Sequence, residues 1–124
     1  MSISPERHLG QARRNLAHAE QLLAEHGDDP TAVQWAVTAA FYCGVHCLQA
    51  HLIRQGYDPQ THVKRGEAIA DPATGVPLLV QIAYELLKQR SEKARYRLAE
   101  FDGAIVRSRI LGHYLHIVTS FVGL

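Results

Sequence analysis

Apolar residues recur at spacings of three and four along most of this chain, and short polar breaks mark where each run stops. Leu9, Ala12, Leu16, Ala19, Leu22 and Leu23 make one such face. The pattern predicts a helix from Pro5 to His26, with Ser4 as N-cap, Pro5 in the first turn and Gly27 as the stop. Gly27-Asp28-Asp29-Pro30 reads as a turn. The next run behaves differently. From Thr31 to Ile53 there is no Asp, Glu, Lys or Arg, and apolar residues lie all round: Val33, Val37, Phe41, Val45, Leu48 and Leu52 on one side, Trp35, Ala39 and Ile53 on another. A helix that is apolar on every side belongs inside a bundle or a bilayer. Gln34, Thr38, His46, Gln49 and His51 are a heavy polar load for a bilayer span, so the expectation is a buried central helix and no membrane partner. It runs from Thr31 to Gln55, capped by Thr31 or Asp29, and Gly56 ends it.

After a loop at 56–61, Thr61 caps a short helix from His62 to about Ala70. Asp71-Pro72-Ala73-Thr74-Gly75 is a connector. A third long helix follows from Val76 or Pro77 to about Leu98, and Asp102 caps a last one from Gly103 to Val122. No run alternates for long enough to make a strand. Short connections between long amphipathic helices place sequence neighbours antiparallel. The expected architecture is all-α: a four- to five-helix up-and-down bundle, one domain over residues 1–124.

Composition narrows this further. Hydrophobic residues make up 47 % and charged ones 20 %, enough apolar material for a core. Two Cys are too few to staple a secreted mini-protein and no apolar leader opens the chain, so a cytoplasmic location is expected. The formal net charge is +1, which excludes a polybasic or acidic tail. Charge is nevertheless uneven. Lys88, Arg90, Lys93, Arg95, Arg97, Arg107 and Arg109 stand against Glu92, Glu100 and Asp102, and nothing after Arg109 is charged. Such a local positive end could meet phosphate, or serve only as a solvated surface.

Three groupings carry candidate chemistry. Cys43, His46 and Cys47 sit at i, i+3 and i+4, which suits zinc in residue type, but a structural zinc site wants four ligands and no further Cys exists. No metal or other cofactor is expected. The second grouping spans three segments: Tyr42 and His46 on the central helix, His62 and Arg65 on the short one, and Tyr84, Ser91, Arg95 and Tyr96 on the third. Polar groups at the border of a core must be hydrogen-bonded, so these residues either lock the helices together or line a pocket for an anion. The third lies on the last helix, where Asp102, Arg109, His113, His116 and Ser120 fall within about 60° at ~100° per residue. An imidazole moves protons near neutral pH, and a guanidinium grips a phosphate through two parallel bonds.

The segments Trp35-Ala36-Val37, Ala40-Phe41-Tyr42-Cys43-Gly44-Val45-His46, Thr61-His62-Val63-Lys64-Arg65, Tyr84-Glu85-Leu86-Leu87 and Ser91-Glu92-Lys93-Ala94-Arg95-Tyr96 together resemble bacterial members of the HEPN superfamily, over about Gln11 to Tyr114. The resemblance implies the same helical bundle, association with RNA or nucleotides, and frequent homodimers in toxin–antitoxin or defence systems. Many such proteins are metal-independent endoribonucleases with an Arg-polar-(three to five residues)-His motif. Arg107-Ser108-Arg109-Ile110-Leu111-Gly112-His113 has that form, with Ser108 where Asn or Asp is usual. In one ideal α-helix Arg107 lies about 120° from His113, while Arg109 shares its face.

The expectation is therefore an RNA-associated protein, with His113 as general base on a ribose 2′-hydroxyl, His116 beside it, and Arg107 or Arg109 on the scissile phosphate. Its products would end in 2′,3′-cyclic phosphates. The alternative is a catalytically silent module that binds a partner protein or nucleotide through Tyr42, His46, His62, Arg65, Tyr84, Ser91, Arg95 and Tyr96. An antitoxin-like nucleotidyltransferase is the partner the resemblance implies. A homodimer is expected through the last helix, because Tyr114, Val118 and Phe121 exceed what one core-facing stripe requires.

Overall fold

A computed structural model describes residues 3–124. Among them there is no strand. The elements are α1 (Pro5–His26), α2 (Pro30–Arg54), α3 (His62–Ala70), a 3₁₀ turn (Pro72–Thr74), α4 (Leu78–Tyr96), α5 (Gly103–Ile105), a π-helical segment (Val106–Leu115) and α6 (His116–Val122). The caps do local work. Ser4 accepts from the Arg7 amide, Asp29 rather than Thr31 caps α2, Thr61 accepts from Lys64, and Asp102 accepts from both Ala104 and Ile105.

α2 is the axis of the bundle. By length and composition it could cross a bilayer, yet most of its residues are buried against other helices of the chain. Phe41, Leu48 and Leu52 on it are wholly enclosed. α1 packs along one side of α2; α4, the π segment and α6 close the other sides; α3 lies against α2. At the turn after α1, Gly103 comes so close that a Cβ there would sit 2.5 Å from the Gly27 carbonyl oxygen. Only glycine allows that approach, and it fixes where the last helix begins.

One expectation about the last helix is corrected. It is not one α-helix. Between Val106 and Leu115 the backbone bonds one residue further along, i to i+5, which puts more residues in each turn. Packing accounts for the change, since the buried residues are Val106, Ile110, Leu115 and Val118, and the five-residue step from 110 to 115 brings both side chains to the core. Much of the helix's apolar surface is covered within the chain. Val118 is 0 % exposed, Tyr114, Phe121 and Val122 pack on the core, and the Phe121 ring lies 4.8 Å from that of His51.

Candidate functional site

The grouping spread over three segments is brought together. It is built around Phe41, whose ring meets those of Tyr42, His62 and Tyr84 at 5.1, 5.7 and 5.7 Å. Arg95 reaches from α4 to α2, where its Nη1 donates to the Tyr42 hydroxyl at 2.8 Å. Its guanidinium also lies over three rings, Phe41 at 5.8 Å, Tyr42 at 5.5 Å and Tyr96 at 5.1 Å. Each contact of this kind contributes roughly 0.5–1 kcal/mol or more, so the cation is held by faces rather than by a carboxylate.

Arg65 is 9 % exposed. Its Nε donates to Gln49 Oε1 and its Nη1 to His62 Nδ1, each at 3.0 Å. The second bond fixes the neutral His62 tautomer, leaving the proton on Nε2. Burial, then the charges of Arg65, Arg95 and Lys88, hold the His62 pKa below its ordinary value, against a smaller opposing pull from Glu92. Burial raises the Tyr84 pKa, partly offset by the facing Arg65, so its hydroxyl stays protonated.

The remaining polar atoms are unspent. Tyr84 Oη, Ser91 Oγ and Arg95 Nε are buried without a hydrogen-bond partner. Arg54 and Glu6 form an ion pair at the surface, while Asp58 shares with Arg65 the Gln49 side chain and the lining of one small cavity. The Arg65 and Arg95 guanidinium groups flank the His62 imidazole, with Asp58 joined to Arg65 through Gln49. Buried groups of this sort are normally satisfied, and an acceptor-rich anion is what would satisfy them.

His46 borders the Arg65 side of the cluster, lining a small cavity with His8, Gln49, Asp58 and Arg65. Its Nδ1 faces His8 Nδ1 at 2.9 Å, joining α2 to α1. Burial, then the nearby His8, Arg65 and Arg14, push the His46 pKa down to about 4; burial also lowers that of His8, while Asp58 opposes it and Arg65 and Arg7 add to it. Two groups were missed by sequence reasoning. Gln49 accepts from Arg65 and donates to Asp58 Oδ1 and the Pro59 carbonyl, tying the 56–61 loop to the site. His8 was read only as part of α1. An amide inside a run with no charged residue was the available signal for Gln49.

Cys43 and Cys47 are buried in the core. The Cys47 contact and burial push the Cys43 thiol up, so it remains a neutral thiol. Among the described residues no group of three or more His, Cys, Asp or Glu is placed to hold a metal ion, so Cys43, His46 and Cys47 do not form the zinc site weighed from their spacing.

The grouping on the last helix is divided by the π segment. Arg107 lines a groove of about 740 Å³ between α1 and the last helix, together with Glu20, Gly112 and His116. His113 and Arg109 do not line it. His113 is exposed and stacks on Tyr114, 5.4 Å between ring centres. His116 approaches Ser120 at 3.4 Å. The stripe expected from Arg109 through His113 to His116 assumed 100° per residue, which the π segment does not obey. Comparison with family models, with curated proteins and with solved structures finds no match to this chain.

Proposed function

We propose that this protein is a binding module that recognises an anionic group, phosphate or carboxylate, through the cluster of Tyr42, His62, Arg65, Tyr84, Ser91 and Arg95. One observation carries this reading: three polar atoms of the cluster are buried without a hydrogen-bond partner, in the same part of the bundle as two guanidinium groups. A purely structural network would spend these donors on the protein itself. The likeness to nucleotide- and RNA-associated HEPN domains supports a phosphate-bearing ligand among these. Calorimetric titration with inorganic phosphate and with a short RNA should show binding that Arg65→Gln weakens at least tenfold. No binding of either by the unaltered protein overturns the reading.

A second reading, metal-independent RNA cleavage, is favoured by a different observation. Arg107 and His116 line one groove. There His116 would take the 2′-hydroxyl proton while Arg107 holds the phosphate, and His113 would have no part. Total RNA incubated in EDTA should then be cut by the unaltered protein and by His113→Ala, but not by His116→Ala. Cleavage lost with His113→Ala alone would return the chemistry to the Arg-Ser-…-His motif.

A further inference from the structure

α4 ends at Tyr96, and two residues later Leu98 takes φ 51°, the left-handed region. It is the only non-glycine among the described residues to do so. For a side chain of this kind the conformation costs ~1–2 kcal/mol, so neighbouring contacts must hold it. Gln34 supplies one, donating from Nε2 to the Ala99 carbonyl at 3.0 Å and pinning the turn to α2. The result is a slot of about 340 Å³ lined by Gln34, Trp35, Thr38, Ala94, Arg95 and Leu98. Its walls are largely apolar. Trp35 is 59 % exposed and Leu98 77 %, although every other aromatic residue of α2 is at least half covered. No acidic side chain lines the slot, and its one cation is Arg95. Tyr42 takes a single one of the five N–H donors of that guanidinium.

We propose that this slot binds a small organic acid with an aromatic or branched apolar body: the carboxylate on Arg95, the body between Trp35 and Leu98. The proposal rests on the anion reading of Arg95 and adds the class of ligand. The volume stands at the small end of the ~300–1,000 Å³ of ligand pockets, which suits one ring with a short acid chain. A single guanidinium between apolar walls balances one negative charge, and its planar N–H groups match a carboxylate. A sugar phosphate would bring several hydroxyls to walls whose only uncharged polar side chains are Gln34 and Thr38.

Trp35 is the only tryptophan in the chain, so its emission reports the slot directly. Titration of the full chain with phenylacetate should give a saturable change in that emission. The neutral phenylacetamide should bind at least tenfold more weakly, and Arg95→Gln should weaken phenylacetate by a similar factor. Leu98→Asp guards against misfolding of the Arg95 variant, because Asp accepts the left-handed conformation at an exposed site and sets a negative charge against the incoming acid. It too should lose binding while its circular dichroism spectrum is unchanged. Equal affinity for phenylacetate and phenylacetamide overturns the proposal, as does the absence of any saturable change. Emission that responds to adenosine monophosphate but not to phenylacetate overturns it as well, in favour of a nucleobase in the slot. The anion reading is judged separately, by phosphate and RNA binding and their dependence on Arg65. Binding there with a silent Trp35 removes the slot alone.

Discussion

The cluster around Phe41 and the Arg107–His116 stretch draw on the same residue types but are held in different ways. In the first, the bond from Arg95 to Tyr42 spans 53 positions of sequence, and Arg65, Gln49 and His62 are fixed between α2, α3 and the 56–61 loop. Its geometry is set by how helices pack. In the second, every candidate sits on one helix, and which side chains share a face depends on the helix type alone. The i to i+5 bonding from Val106 to Leu115 leaves His113 outside the groove that Arg107 and His116 line. Polar motifs read along a single helix are therefore sensitive to the type of that helix, whereas those spread over several helices survive small changes in each.

Four experiments sharpen or break this contrast. The largest effect is expected from Val118→Glu, which sets a carboxylate in a fully enclosed site. Burial of an unpaired charge costs upwards of ~3–5 kcal/mol, so the protein should be unfolded or insoluble. A folded, soluble monomer would show instead that the last helix is an interface between chains. Next is Arg65→Gln against Arg107→Gln, compared by urea unfolding. The first leaves Gln49 and His62 without their donor and should lose about 2–3 kcal/mol, while the second, at an exposed position, should stay within about 0.5 kcal/mol. Equal losses would erase the distinction between the two regions.

The third concerns the His8–His46 pair. Both pKa values lie lower in the folded protein than in the unfolded chain, so the unfolded chain binds more protons in acid. Stability should be complete above about pH 6.5 and fall as pH drops towards about 4, the value for folded His46. His46 is only half-buried, so the loss, discounted for solvent screening, is about 1–2 kcal/mol. His46→Gln should flatten the profile, measured as melting temperature between pH 7.5 and 4.5. The smallest effect is expected from Ser91→Ala. Removal of a buried hydroxyl that meets no partner should leave the ligand-free protein as stable or up to ~1 kcal/mol more so. A clear loss of stability would mean that the hydroxyl is already satisfied.

Most helix limits were legible in the sequence, because the signals are local. Ser4, Thr61 and Asp102 cap where expected, and α1 and α3 have the expected bounds. α4 stops two residues short of Leu98, since Leu98 turns left-handed. The π segment was not legible, because its bonding is decided by which residues α2 and α4 accept from across the bundle. Ile110 and Leu115 look like two ordinary core residues until their five-residue spacing is met in space. The cluster was legible in its members, since large polar residues beside apolar stripes need partners. The partners were not: that Arg65 goes to Gln49, and that His46 turns to His8, follows from packing of distant segments.

The π segment also bears on how the length of this chain can change. In an ordinary α-helix, loss of one residue rotates everything beyond it by about 100° and turns the core face outward. Between Val106 and Leu115 the surplus residue is already present. A one-residue deletion there, at exposed Gly112 for example, can be absorbed by a return to α-helical bonding, with Val118 and Phe121 still directed at the core. That stretch is where this chain could most readily lose a residue without rebuilding the bundle.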